Sequence, residues 1–178
     1  MKTISILLVL VIATMPRQEK MLTKTGKVTF EASIPAFEEV KAVSETVTCI
    51  FNPKTGDIQS QVLMKSFRFK IALMEEHFNE NYMESNKYPK GTFRGRIEDF
   101  DASALTATAK EYIVTGSMEM HGKTKDIATK AKVRKIDGGI EIISSFSLNT
   151  DDYGIQIPSV VKSKVSKKVN VKSEFTVK

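Results

Sequence analysis

Thr115-Gly116-Ser117-Met118-Glu119-Met120-His121-Gly122-Lys123-Thr124-Lys125 reads as a strand running into a glycine turn and out into a second strand. Before the turn, Tyr112, Val114, Gly116, Met118 and Met120 fall on one face and Ile113, Thr115, Ser117, Glu119 and His121 on the other. That period of two marks a half-buried strand. After the turn, Ile127, Thr129, Ala131 and Val133 alternate with Lys130, Lys132 and Arg134. The hairpin offers one uncharged wall and one polar wall, and the fold depends on what the uncharged wall encloses.

Working outward, the same alternation recurs. Val28, Phe30 and Ala32 oppose Lys27, Thr29 and Glu31 in a strand over 23–33 that Ile34-Pro35 ends. A second strand over 43–52 closes at the turn formers Asn52-Pro53-Lys54-Thr55-Gly56-Asp57, and a third runs over 58–67. The period then becomes helical. Ile71, Met74, Phe78 and Tyr82 predict a helix over 70–83, ended before Pro89 and Gly91. This helix either caps one end of a barrel or lies over one edge. Strands resume at 92–100, continue through the hairpin to Ile136, cross the tight turn Asp137-Gly138-Gly139, and finish at 140–148 and 168–177. A short helix can start at Pro158-Ser159. The count predicts an all-β fold of eight strands with one or two short helices. Eight antiparallel strands with one apolar face close into a barrel just wide enough inside for side chains or one slender ligand; a two-sheet sandwich is the competing arrangement.

At 178 residues the chain suits a single domain, expected over 21–178. Lys2 followed by the apolar run Ile4 to Ala13 is too short to span a bilayer and reads as a secretory signal within residues 1–20. An ordinary buried N-terminal strand is the competing reading. Export implies a periplasmic or extracellular protein. The lone Cys49 can form no internal bridge and suits a small core position better than a nucleophile. All of the +6 net charge arises in residues 120–178, which hold 12 of the 27 Lys+Arg and 6 of the 21 Asp+Glu. A nucleic-acid partner is disfavoured by the export signal and by the absence of Trp or of aromatic and basic residues interleaved for base stacking. Neither His77 nor His121 has a second ligand at metal-binding spacing, and no nucleophile elbow or phosphate-cradling loop is present. Metal, cofactor and enzyme readings therefore rest on nothing positive.

With the strands in place, the hairpin resembles the signature of the YceI-like family, in which Leu-Thr-Leu-His-Gly-Val-Thr-Lys is typical. The segment from His77-Phe78-Asn79 to Lys87-Tyr88-Pro89-Lys90-Gly91-Thr92-Phe93 and the element Asp152-Tyr153-Gly154-Ile155 resemble two further family features. Asn149-Thr150 stands where an Arg often precedes the late aspartate. The resemblance implies a lipocalin-like closed antiparallel barrel, usually exported, whose apolar tunnel holds a polyisoprenoid chain such as a prenyl diphosphate or a quinone.

On that basis the expected function is a non-enzymatic exported carrier or sequestering protein for a long apolar lipid. The alternative is a structural or interaction protein of the cell envelope whose barrel is filled by its own side chains. Residues expected to line the tunnel are Phe30, Val47, Phe51, Val62, Met64, Phe93 and Ile97 from the first half of the chain, and Val114, Met118, Met120, Ile142, Phe146 and Phe175 from the second. The small residues Gly95, Gly116, Ala131 and Ser144 on the same faces leave volume for a ligand, and flexible Met side chains suit irregular cavities. His121 either meets a ligand's polar end at the rim or is a turn histidine that bonds a nearby backbone carbonyl. Lys162 and Lys164, with Lys167 and Lys168, form either a collar for an anionic head group or membrane surface, met transiently, or the solvated face of a short helix.

Overall fold

The structure, a computed structural model, describes residues 20–178, so the expected signal segment, save Lys20, lies outside the described residues. Its eight long strands are β1 (Met21–Ser33), β2 (Lys41–Phe51), β3 (Asp57–Leu63), β5 (Lys90–Ile97), β6 (Lys110–Met120), β7 (Lys123–Ile136), β8 (Gly139–Asn149) and β9 (Val165–Val177), with a two-residue β4 (Arg68–Phe69) between β3 and β5. Neighbours pair antiparallel in the order β1-β9-β8-β7-β6-β5-β3-β2, and β1 pairs β2. The ring is therefore closed, with every long strand satisfied on both sides. β4 is extra, held on β2 through Ala42↔Phe69 and Val43↔Arg68.

The hairpin that organises the sequence is paired along its whole length, from Lys110↔Val133 to Met120↔Lys123. Its two turn residues, His121 (φ 52°) and Gly122 (φ 71°), both take the positive φ that a two-residue hairpin turn demands. Tyr112, Val114, Ala131 and Val133 are buried, while Ile113 and Lys132 face outward.

Two elements differ from expectation. The third strand stops at Leu63 because Ser66 Oγ donates to the Leu63 carbonyl (2.6 Å) and meets Ser44 Oγ (2.7 Å). The resulting 3-10 turn, Met64–Ser66, swings Met64 and Phe67 into the core. The helix is shorter than expected: α1 covers Ala72–His77, then widens into a π turn over Phe78–Tyr82, where the Met83 N–H reaches the Phe78 carbonyl at 2.8 Å.

The two ends of the barrel are unlike. At the end formed by the β2–β3, β5–β6 and β7–β8 connections, Cys49, Phe51, Val133 and Val177 are fully buried. The β5–β6 loop folds over them as a plug: Phe100 packs edge-on against Phe51 (5.0 Å between centroids) and lies 5.6 Å from Tyr112, with Leu105 buried beside them. Asp101 fixes that loop by accepting the Ser103 N–H (2.8 Å) and hydroxyl (2.7 Å). The opposite end carries the β1–β2, β3–β5, β6–β7 and β8–β9 connections, with α1 across it.

Candidate functional site

Above the plug the barrel is hollow. A cavity of about 490 Å³ begins where Val47, Ile58, Phe93 and Phe175 face one another and extends toward the end covered by α1. This volume falls in the range of about 300–1,000 Å³ usual for small-molecule sites. Period-two alternation positions its walls, since every second residue of each strand points inward. The roof is supplied by a cluster of four phenylalanines. Phe30 stacks on Phe78 (5.3 Å) and meets Phe67 (5.1 Å) and Phe69 (5.7 Å) edge-on, so β1, the Met64–Ser66 turn, β4 and the π turn are fastened together. At the mouth, Phe37 and Val40 of the β1–β2 loop face Ile157, Val161 and Lys164 of the β8–β9 loop across the same space.

The structure brings eleven of the thirteen expected tunnel residues to this cavity. Phe30, Val47, Val62, Met64 and Phe93 line it from the first half of the chain. Val114, Met118, Met120, Ile142, Phe146 and Phe175 line it from the second. Phe51 and Ile97 do not: 0% and 1% exposed, they belong to the packed end, where Phe100 and Leu105 occupy the space a through-going tunnel would need. Of the small positions, Ala131 and Ser144 line the cavity. Gly95 and Gly116, directly opposite each other, instead make room for one ring. A Cβ on either would stand 2.6 or 2.8 Å from Phe93 Cζ, so their missing side chains seat Phe93 rather than a ligand.

His121 stands outside the lining. Its Nδ1 lies 3.0 Å from the Tyr153 carbonyl oxygen and its Nε2 3.0 Å from Glu84 Oε2, with its ring against Tyr88. It ties the β6–β7 turn to the β3–β5 and β8–β9 connections through the Tyr153 carbonyl, Glu84 and Tyr88. Lys164 lines the mouth, whereas Lys162 is exposed and does not. Sequence reasoning missed Phe67 and Phe69 on the roof. Their alternation about Arg68 was visible, but the chain reversal that turns them inward depends on the distant Ser44–Ser66 hydrogen bond.

Electrostatically the cavity is quiet. His77, Glu38 and Lys164 are its ionisable rim groups, while burial pushes the Tyr82 phenol up, and burial followed by the Asp152 charge does the same for Tyr153. Both phenols thus stay neutral near pH 7. The hydroxyls of Tyr153 and of Thr150, which also lines the cavity, are buried without a hydrogen-bond partner. Among the described residues no cluster of three or more His, Cys, Asp or Glu could hold a metal ion.

A closed eight-stranded antiparallel barrel, plugged at one end and hollow with apolar walls at the other, defines a lipocalin-like architecture. The chain belongs to the YceI-like family: the model of the YceI-like domain matches residues 20–177. Among solved structures, a polyisoprenoid binding domain from Saccharophagus degradans implicated in plant cell wall breakdown superposes with a TM-score of 0.74 at 16% identity, over 89% of this chain and 97% of that one. Burkholderia cenocepacia BcnA gives 0.70 at 17% identity over 86% and 96%. The Campylobacter jejuni YCEI protein gives 0.60 at 18% over 82% and 89%. At these identities the likeness is one of fold. No curated protein matches the chain by sequence.

Proposed function

We propose that this protein is an exported carrier or sequestering protein that holds a long apolar lipid, such as a polyisoprenoid or quinone, in the hollow half of its barrel. The observation that carries the reading is the cavity itself: about 490 Å³, walled by inward apolar side chains and roofed by four phenylalanines. Burial of hydrocarbon at roughly 25 cal/mol per Å² supplies affinity without any catalytic group, so the protein acts by binding. The family and its structural likeness to a polyisoprenoid binding domain support the ligand class. The unpartnered hydroxyls of Thr150 and Tyr153 favour a ligand that also carries a hydrogen-bond acceptor, since a buried donor gains most from being satisfied. Export rests on Lys2 and the apolar run Ile4 to Ala13.

Organic extraction of the purified protein followed by mass spectrometry tests the reading. A recurrent apolar lipid is expected. Protein that carries none, and takes up none from added prenyl alcohols or quinones, overturns it.

A further inference from the structure

We propose that the mouth of the barrel docks on an anionic phospholipid surface, with Val160 and Phe37 as the apolar contacts and the lysines around Val160 as the charged ones. The inference deepens the carrier reading by naming the partner of its open end, but its geometry stands independently. Among the described residues, exposed large apolar residues outside the strands are confined to one end of the molecule. Val160 is 81% exposed at the tip of the β8–β9 loop, Phe37 48% exposed at the tip of the β1–β2 loop, and Leu73 57% exposed on α1. The connections of the plugged end present none among the described residues, and the other exposed large apolar residues, Leu22, Ile50, Leu63 and Ile113, sit on strands.

Val160 and Phe37 stand on neighbouring connections. β1 ends at Ser33, which pairs with Val165 at the start of β9, so the loop leaving β1 and the loop entering β9 rise side by side. Both loops also line the mouth, through Phe37 and Val40 on one side and Ile157 and Val161 on the other. Single exposed apolar residues are ordinary, but two on adjacent tips beside the opening of an apolar cavity are placed to enter a bilayer.

Charge selects the kind of surface. Within the β8–β9 region, Asp151 is bound to Lys167 (2.7 Å) and Asp152 to Lys125 (3.8 Å). Lys162 and Lys164, two and four residues after Val160, and Lys168 near the start of β9 make no ion pair among the described residues and are exposed. Glu39 of the facing loop is paired with Lys41 (3.8 Å), which leaves Glu38 as the opposing charge there. Leu73 lies on the side of the mouth where the exposed Glu76 and Glu80 repel anionic lipid. Contact is therefore made through the β8–β9 and β1–β2 tips, tilted away from α1.

The test uses the full chain carrying Val160→Cys or, at the plugged end, Asp137→Cys, each labelled with an environment-sensitive fluorophore. Cys49 does not compete, being fully buried with its thiol pushed up to about 12 by burial. With phosphatidylcholine vesicles containing phosphatidylglycerol, the label at 160 should shift to shorter wavelength and brighten, and the label at 137 should not. Charge reversal at Lys162 and Lys164 should weaken the response by at least about tenfold, since a basic residue near an anionic surface is worth roughly fivefold in affinity. No response at 160, an equal response at both positions, or a response indifferent to phosphatidylglycerol would overturn the proposal. Lipid extracted from a Val160→Glu variant separates the two readings: docking is lost while the bound lipid stays. A wild-type protein that carries lipid but ignores vesicles disproves docking alone, and one that docks empty disproves the carrier alone.

Discussion

Met118 enters the cavity from β6, opposite Phe93 on β5. A lysine there would place an ammonium among hydrocarbon side chains, a placement that costs several kcal/mol unless the chain moves. Met118→Lys is therefore expected to abolish lipid retention, read by extraction and mass spectrometry; a folded variant that keeps its lipid shows that this wall does not contact it. Two strands' worth of backbone converge at Gly116, where a Cβ would meet the Arg94 carbonyl at 2.4 Å and Phe93 Cζ at 2.8 Å. Gly116→Val should lower stability by about 1–3 kcal/mol through overpacking, seen as a fall in the urea midpoint. The sequence displays Gly95 and Gly116 as small inward positions, but it does not say whether ligand or a neighbouring ring takes the space. Phe93, two residues along the same face, is that ring. Cys49 offers a cleaner probe: 0% exposed and with a thiol pushed up to about 12, it should react with thiol reagents only as fast as the barrel unfolds.

At the scale of elements, the β7–β8 hairpin is clasped by a two-pronged pair. Arg134 donates from Nε (2.5 Å) and Nη2 (3.0 Å) to the carboxylate of Glu141, its direct cross-strand partner. The Arg134 hydrogen bond holds the Glu141 carboxyl below its usual range. Asp57 is lowered likewise by the Thr55 hydroxyl and then by Arg96. For carboxyls depressed in the folded state, the stabilisation is present above the unfolded value, about 4.3 for Glu and about 3.9 for Asp, and is lost as pH falls through the folded value. Glu141→Gln should therefore flatten the acid limb of the stability profile relative to the wild type, with urea midpoints compared at about pH 7 and about pH 3. The inward and outward faces of these strands were legible, because alternation of Val133 with Lys132 and Arg134 reports burial directly. The helix was legible in place but not in form. The last turn opens to π geometry with Phe78 packed on Phe30 of β1 and Phe69 of β4, and the spacing of Phe78 and Tyr82 does not announce it, since residues four apart share a face of an ordinary α-helix as well.

For the whole molecule, a barrel could be expected from eight alternating strands, but its unlike ends could not. The plug is the loop Phe100-Asp101-Ala102-Ser103-Ala104-Leu105, whose short apolar content resembles any surface connection until it meets Phe51 and Tyr112. Phe51 and Ile97 consequently read as tunnel residues from strand pattern alone, although they lie beneath its floor. Export carries its own prediction at this scale: protein recovered from the cell envelope or medium should have lost its first residues, with N-terminal sequencing placing the new start between about Pro16 and Met21.

A floor of packed aromatic rings turns the cavity into a depth gauge. A chain that goes in end-first must halt where Val47 and Phe175 give way to Phe51 and Phe100, so every carbon beyond that length is left protruding at the mouth. Cargo would then be sorted by how many repeat units fit, with the last unit swallowed being the first to touch the stop. Phe51→Ala should lower that stop and move the preferred cargo toward longer chains, read as a shift in the mass distribution of extracted lipid.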